Sequence, residues 1–90
     1  MPQNRVLDLN DLKSLDDFHD RIVQCLRFPP YYGRNLDAFT DCLNDFADGI
    51  SLSIRGLSEV DPPLSQELFR YVDLLKELEQ GRANFALGVD

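Results

Sequence analysis

The feature that most constrains the fold is the alternation of two kinds of segment. Three short apolar segments lack helical periodicity, and longer segments with helical periodicity separate them. The short segments cover residues 5–9, 50–54 and 85–89. Residues 50–54, Ile-Ser-Leu-Ser-Ile, alternate strictly between apolar and polar, which is typical of a strand with one buried face. Strands that alternate with helices imply a parallel sheet with right-handed crossovers. We therefore predict a small α/β fold in which three parallel strands pack with three to four helices.

Helix start and stop signals lie between these segments. Ser14-Leu15-Asp16-Asp17 has the form of a capping box and predicts the start of a first helix. Pro29-Pro30 predicts its end, because proline donates no backbone N–H. Asn35 is predicted to cap a second helix. Ser65 is predicted to cap a third, with Gly81 as the residue just past its last turn.

The size and charge of the chain exclude several classes of function. Its 90 residues suffice for one domain, residues 1–90, with one modest core. The net charge of −7 opposes nucleic-acid binding, which depends on Lys and Arg, and fits either a basic partner or a role in solubility. No segment approaches the ~18 apolar residues that span a bilayer, and no signal peptide is evident. We expect a cytoplasmic protein that is monomeric when free.

The cysteines and the single histidine do not indicate a catalytic or metal site. Cys25 and Cys42 lack the spacing of a redox or zinc motif and are expected to be buried free thiols. His19 is expected on the surface of the first helix, without a nucleophile nearby. Glycine-rich phosphate loops are absent from the sequence. The sequence therefore predicts a protein that is not an enzyme and uses no metal or other cofactor.

The predicted second helix has an acidic outer face. Its core-facing positions are predicted to be Leu36, Phe39, Leu43 and Phe46. The outward positions are then Asp37, Asp41, Asn44, Asp45 and Asp48. Carboxylates one turn apart destabilise a helix by a few tenths of a kcal/mol, and only Asp37 lies close enough to the helix N-terminus to recover much of that. Periodicity alone leaves open whether this face is merely solvated or is a binding surface.

Two tyrosines precede the acidic helix in a short loop. Tyr31 and Tyr32 are followed by Gly33, which is expected to supply the freedom for a turn. A tyrosine offers apolar area and a hydroxyl with only two torsions to restrict, which suits an interface. We expect Tyr32 to pack into the core and Tyr31 to face outward. Two aspartates beside a rigid aromatic ring would imitate a phosphate backbone.

Residues 30–43 resemble the signature of the barstar family of ribonuclease inhibitors. They are Pro-Tyr-Tyr-Gly-Arg-Asn-Leu-Asp-Ala-Phe-Thr-Asp-Cys-Leu, and the chain length and element order are also similar to that family. The resemblance implies a one-to-one inhibitor whose loop and helix enter the active site of a basic ribonuclease, where their carboxylates replace substrate phosphates. The contact positions it implies are Tyr31, Gly33, Asn35, Asp37, Ala38 and Asp41. We add Thr40, Asn44 and Asp45, which continue the same helix surface.

The resemblance also implies separate roles for these residues. Asp41 would be the central anchor that meets the Arg, Lys and His side chains of the enzyme. Asp37 would bind at the edge, Tyr31 would stack on a catalytic histidine, and Asn35 would both cap the helix and bond outward. Bidentate pairing with arginine explains why Asp rather than Asn would be needed at position 41.

Three positions depart from barstar itself, the protein after which the family is named. Thr40 and Phe46 stand where that protein has tryptophans, and Lys76 stands where it has a contacting glutamate if Gly81 aligns with the glycine that ends its last helix. A lysine there would repel a basic enzyme. These departures leave the identity of the partner open.

Other functions are less well supported by the sequence. Asp37 and Asp41 would make an acid/base pair only with a cleft or a histidine to separate their pKa values. Asp41, Asp45 and Asp48 fail the spacing of a calcium loop. The remaining alternative is a barstar-like immunity or interaction module for a different basic toxin or partner.

Overall fold

The computed structural model describes residues 3–81 and 84–90. Strand β1 is Gln3–Asp8, helix α1 is Leu15–Leu26, helix α2 is Leu36–Phe46 and strand β2 is Ile50–Arg55. A short 3₁₀ helix, Leu57–Glu59, precedes helix α3 at Leu64–Gly81 and strand β3 at Phe85–Val89. All three predicted strands are therefore confirmed, and β3 has the predicted bounds.

The three strands form one parallel sheet in the order β1-β2-β3. The central strand keeps the predicted alternation, since Ile50, Leu52 and Ile54 are buried whereas Ser53 is exposed. The helices consequently cover the face to which the isoleucines and Leu52 point. The predicted α/β fold with a three-stranded parallel sheet is confirmed.

The first helix begins and ends where the sequence signals indicate. The Ser14 hydroxyl accepts a hydrogen bond from the Asp17 amide at 3.1 Å, as expected of an N-cap. The helix ends at Leu26, and Arg27 follows in the left-handed region at φ 57, ahead of Pro29-Pro30. The chain therefore reverses before the prolines and returns along α1 toward α2.

Aromatic rings form the centre of the core between the helices. Phe39 of α2 packs against Tyr71 of α3 with ring centroids 5.0 Å apart, and Phe18 of α1 lies 5.2 Å from the same tyrosine. Phe28, at the start of the loop before α2, contacts Phe39 at 6.0 Å. This cluster joins all three helices and fixes where α2 lies.

Both ends of α3 differ from the prediction. The helix begins at Leu64, so the prediction of Ser65 as its N-cap is wrong, and that serine is buried in the first turn. The preceding residues supply the first carbonyls instead, with Asp61 accepting from the Ser65 amide at 3.2 Å. Gly81 is the last helical residue rather than the one beyond it, and its φ is not left-handed.

The two cysteines differ in burial. Cys42 is buried as predicted, but Cys25 is only half-buried, and its thiol lies 3.5 Å from the Val6 carbonyl oxygen. Both thiols are free, and burial raises the pKa of each.

Candidate functional site

The start of α2 is fixed by Asn35, as predicted. Its backbone is extended (φ −143), and its side-chain oxygen accepts a hydrogen bond from the Ala38 amide at 2.8 Å. The side-chain amide donates to the Gly33 carbonyl at 3.3 Å. Asn35 therefore both caps the helix and fastens the preceding loop to it.

The acidic face of α2 is exposed over its whole length. Phe39, Cys42 and Leu43 are the buried residues of the helix. The exposed residues of the predicted site on α2 are Asp37, Asp41, Asn44 and Asp45, and Asp48 is also exposed just beyond the helix. Because Asp37 and Asp41 are one turn apart, α2 presents two adjacent carboxylates to solvent.

The prediction that Phe46 faces the core is wrong. Phe46 is the last residue of α2 and is 37% exposed, whereas the next residue, Ala47, is almost completely buried. Ala47, where the chain leaves the helix, is therefore the buried residue at this end of α2.

Thr40 and Ala38 are half-buried members of the predicted site. The Thr40 hydroxyl donates to the Leu36 carbonyl at 3.0 Å within the helix, so its hydrogen is already used. Ala38 faces the loop: a Cβ added to Gly33 would lie 3.2 Å from the Ala38 Cβ. A side chain at position 33 would thus crowd Ala38. The expected role of Gly33 in supplying turn freedom is wrong, because Arg34 is the left-handed residue here (φ 57).

The two tyrosines of the loop point in opposite directions, as predicted. Tyr31 is 75% exposed and Tyr32 only 7%. The Tyr32 amide donates to the Pro29 carbonyl at 3.0 Å, which closes a turn that contains Tyr31. Tyr31 is therefore presented by a fixed backbone beside the start of the acidic helix.

His19 is buried, so the prediction that it lies on the surface is wrong. It is 2% exposed, with Nδ1 2.8 Å from the Tyr32 hydroxyl and Nε2 3.4 Å from the Tyr71 hydroxyl. Burial lowers the pKa of His19, and the positive charge of Arg34 lowers it further, against the opposing effect of Asp16 and Asp20. Burial also raises the pKa of Tyr32. The histidine thus joins α1, the loop before α2 and α3 as a neutral group.

Helical spacing in the sequence does not indicate this role. His19 directly follows Phe18, and both are buried, so the inward face of α1 is wider than a single apolar stripe. A polar residue with a ring can occupy such a boundary position when hydroxyl partners meet it from other elements. Those partners, Tyr32 and Tyr71, are distant in sequence and become evident only in the fold.

A shallow groove of about 310 Å³ runs between α2 and α3, next to the acidic face. Its wall on α2 includes Thr40 and Asn44, and its wall on α3 includes Leu74, Leu78 and Glu77. The charged residue of α3 that lines this groove is thus Glu77. Lys76, which the alignment with barstar places at a contact, is exposed but does not line this groove.

The family-model comparison covers nearly the whole chain. Residues 3–89 match the model described as Barstar (barnase inhibitor). The chain belongs to the barstar family. Members of the barstar family are inhibitors rather than enzymes, which confirms the prediction that this chain is not an enzyme.

A curated relative matches a shorter stretch. A protein of Bacillus subtilis (strain 168) named "Putative ribonuclease inhibitor YrdF" is 44% identical to the chain over 43 residues. That stretch is 48% of this chain and 47% of the relative, so the match spans about half the length of each.

Within residues 3–81 and 84–90, no group of three or more His, Cys, Asp or Glu side chains is arranged to hold a metal ion. In the same part of the chain, no helix is both long and apolar enough to cross a membrane.

Proposed function

We propose that the chain is a stoichiometric inhibitor of a basic ribonuclease and that it blocks the active site with the acidic face of α2 and Tyr31. The observation that carries this proposal is the exposure of Asp37 and Asp41 on a helix whose start is fixed by Asn35, with Tyr31 turned outward beside it. The family match and the name of the relative support the same function.

The chemistry follows from the shape and charge of this surface. An enzyme that cleaves RNA holds phosphates with Arg, Lys and His side chains, and a carboxylate offers those side chains two oxygens in similar geometry. In our proposal Asp41 meets the centre of that cationic site and Asp37 its edge, while Tyr31 stacks on an imidazole. The other contact positions are Gly33, Asn35, Ala38, Thr40, Asn44 and Asp45.

The fixed geometry of the surface supports tight binding. Ordering a loop or side chain on association subtracts about 0.5–1.5 kcal/mol per rotamer-rich side chain from the affinity. Asn35 is already held by its bonds to Ala38 and Gly33, and Tyr31 has only two side-chain torsions to restrict. Little of the interaction energy is therefore lost in ordering this face.

The test is titration of the chain into microbial guanyl-specific ribonucleases while RNA cleavage is followed. We expect loss of cleavage that is complete at one inhibitor per enzyme. Asp41→Asn removes one charge from the centre of the surface, and Asp11→Asn removes one charge from the exposed connection between β1 and α1. We expect Asp41→Asn to weaken inhibition by about 3–5 kcal/mol, since it leaves enzyme cations unpaired, and Asp11→Asn to change it far less.

Two outcomes contradict the proposal. If no ribonuclease is inhibited, the function is wrong, and one-to-one binding to another basic protein would favour the alternative of an immunity or interaction module. If inhibition occurs but Asp41→Asn and Asp11→Asn weaken it equally, α2 is not the surface that enters the enzyme.

A further inference from the structure

The loop before α2 carries a cation that is tied to α1. One Arg34 nitrogen, Nη1, lies 3.0 Å from Oδ1 of Asp20. The other, Nη2, donates to the Asp16 carbonyl oxygen at 2.8 Å and lies 3.3 Å from Oδ1 of the same residue. Asp16 and Asp20 are one turn apart on the exposed side of α1. A single guanidinium thus joins two turns of α1 to the loop that holds Tyr31.

We propose that Arg34 is a positioning residue for partner binding, which it serves by holding the loop of residues 31–35 against α1. We call Arg34 with Asp16 and Asp20 the Arg34 clasp. This inference rests on the proposed function, because the loop matters only if Tyr31 and the start of α2 contact the partner.

The backbone of Arg34 is in an unfavourable conformation. Its φ of 57 lies in the left-handed region, which is unfavourable for a residue with a Cβ. A glycine stands immediately before it, yet the left-handed conformation is at the arginine. The hydrogen bonds of its side chain to α1 offset that cost, and in the left-handed conformation the chain turns from Tyr32 toward Asn35.

The clasp is one of two attachments of the loop to α1. On the buried side Tyr32 bonds to His19 at 2.8 Å, and on the exposed side Arg34 bonds to Asp16 and Asp20. The two attachment points on the loop are two residues apart, and those on α1 lie within two turns. Because Tyr31 directly precedes this doubly held segment, freeing the outer attachment will loosen its backbone.

The clasp also neutralises the positive charge of Arg34 next to the acidic surface of α2. Two carboxylates around one guanidinium leave the group with a net charge of −1, so a basic partner meets a negative rather than a positive region. Removing Arg34 therefore makes this region more negative, whereas neutralising both aspartates makes it positive. The two perturbations should change the association rate with a basic partner in opposite directions but loosen the same loop.

The experiment compares Arg34→Ala, Asp16→Asn with Asp20→Asn, and the triple variant, each with a ribonuclease that the wild type inhibits. We expect Arg34→Ala and the aspartate pair each to raise the dissociation rate by about three- to tenfold. At low salt the association rate should rise for Arg34→Ala and fall for the aspartate pair. The triple variant should dissociate no faster than Arg34→Ala, since the two carboxylates act on the loop only through Arg34. The aspartate pair alone still leaves Arg34 bonded to the Asp16 carbonyl oxygen.

Two matched variants separate the clasp from charge alone. Arg27→Ala removes one positive charge from an exposed arginine at the same φ of 57, with no ion pair among the described residues. It should leave the dissociation rate unchanged. Arg34→Lys keeps the charge but cannot donate in the same forked geometry, so we expect it to restore only part of the wild-type dissociation rate.

Hydrogen exchange of the free protein tests the positioning without a partner. The Tyr32 amide, bonded to Pro29, and the Ala38 amide, bonded to Asn35, report on the loop and the helix start. Both should exchange about three- to tenfold faster in Arg34→Ala than in the wild type or Arg27→Ala. The inference would be overturned if Arg34→Ala changed neither the exchange rates nor the dissociation rate. It would also be overturned if the increase in dissociation rate of the triple variant equalled the product of the increases for Arg34→Ala and for the aspartate pair. Failure of the wild type to inhibit any ribonuclease overturns the proposed function instead, and the exchange rates still decide whether the clasp holds the loop.

Discussion

Replacing His19 with phenylalanine tests how the buried polar cluster supports the candidate site. The ring volume is nearly kept, but the hydroxyls of Tyr32 and Tyr71 lose the partners that lie 2.8 and 3.4 Å away. Both tyrosines are buried, so water does not readily replace the histidine. The change therefore isolates the hydrogen bonds from the packing of the cluster.

The expected loss of stability follows from these distances. Leaving one buried group without its partner costs about 1–3 kcal/mol. The bond to Tyr32 is short and the contact with Tyr71 is long. We therefore expect His19→Phe to lower the free energy of unfolding by about 2–3 kcal/mol near neutral pH. For a domain whose total stability is about 5–15 kcal/mol, the variant should still fold.

The loss should shrink as the pH falls. The imidazole titrates near 6.5 in the unfolded chain, and burial and then Arg34 lower its pKa in the native state. The unfolded state thus binds more protons between these two pKa values. The histidine's contribution is fully present above about pH 6.5 and is lost as the pH falls through the native pKa, at no more than about 1.4 kcal/mol per pH unit.

The assay is urea unfolding of the wild type, His19→Phe and His19→Gln from about pH 8 to about pH 5. The exposed carboxylates are common to all three proteins, so the difference from the wild type isolates His19. We expect the gap between the wild type and His19→Phe to narrow toward low pH. His19→Gln, which keeps a donor and an acceptor but does not titrate, should lose less stability and show the same narrowing. A gap that stays constant or widens as the pH falls would refute a buried neutral histidine.

Two further predictions concern the backbone near the site and the sheet. Asn35→Ala removes the N-cap of α2 and should cost about 1 kcal/mol in urea unfolding, whereas Asn35→Asp should cost little; equal losses would show that the cap bond to Ala38 is not what matters. Gly56→Ala should cost more than Gly49→Ala, because both glycines have positive φ but only a Cβ at Gly56 would lie 2.8 Å from the Asn10 Oδ1. Equal urea midpoints of unfolding for Gly56→Ala and Gly49→Ala would mean that Asn10 moves away from the added Cβ without loss of stability.

Most of the fold was predictable because the secondary structure that each segment favours by itself is the one it adopts in the folded chain. Residues 50–54 alternate in sequence and lie in the centre of the sheet with their apolar side chains buried. Ser14 and Asn35 cap the helices that follow them, since a cap depends on residues within one turn. The same holds for the acidic face of α2, where helical spacing alone determines that Asp37 and Asp41 share a side.

The errors lie where distant residues decide the outcome. His19 is buried because Tyr32 and Tyr71 supply hydroxyls from other elements, which its neighbours in sequence do not indicate. Arg34 rather than Gly33 is left-handed, and the carboxylates of α1 that its side chain meets are distant in sequence. The sequence therefore predicted which surface is acidic, but not how the loop beside it is held.

Competition with an active-site nucleotide tests the central proposal most directly. A ribonuclease that this chain inhibits would be titrated with the chain at rising concentrations of a nucleotide product of RNA cleavage that occupies the enzyme's phosphate site. If Asp37, Asp41 and Tyr31 enter that site, the apparent dissociation constant of the protein complex will rise in proportion to the nucleotide concentration, and Asp41→Asn will weaken binding throughout. An apparent dissociation constant that does not depend on the nucleotide would place the chain elsewhere on the enzyme and contradict the account.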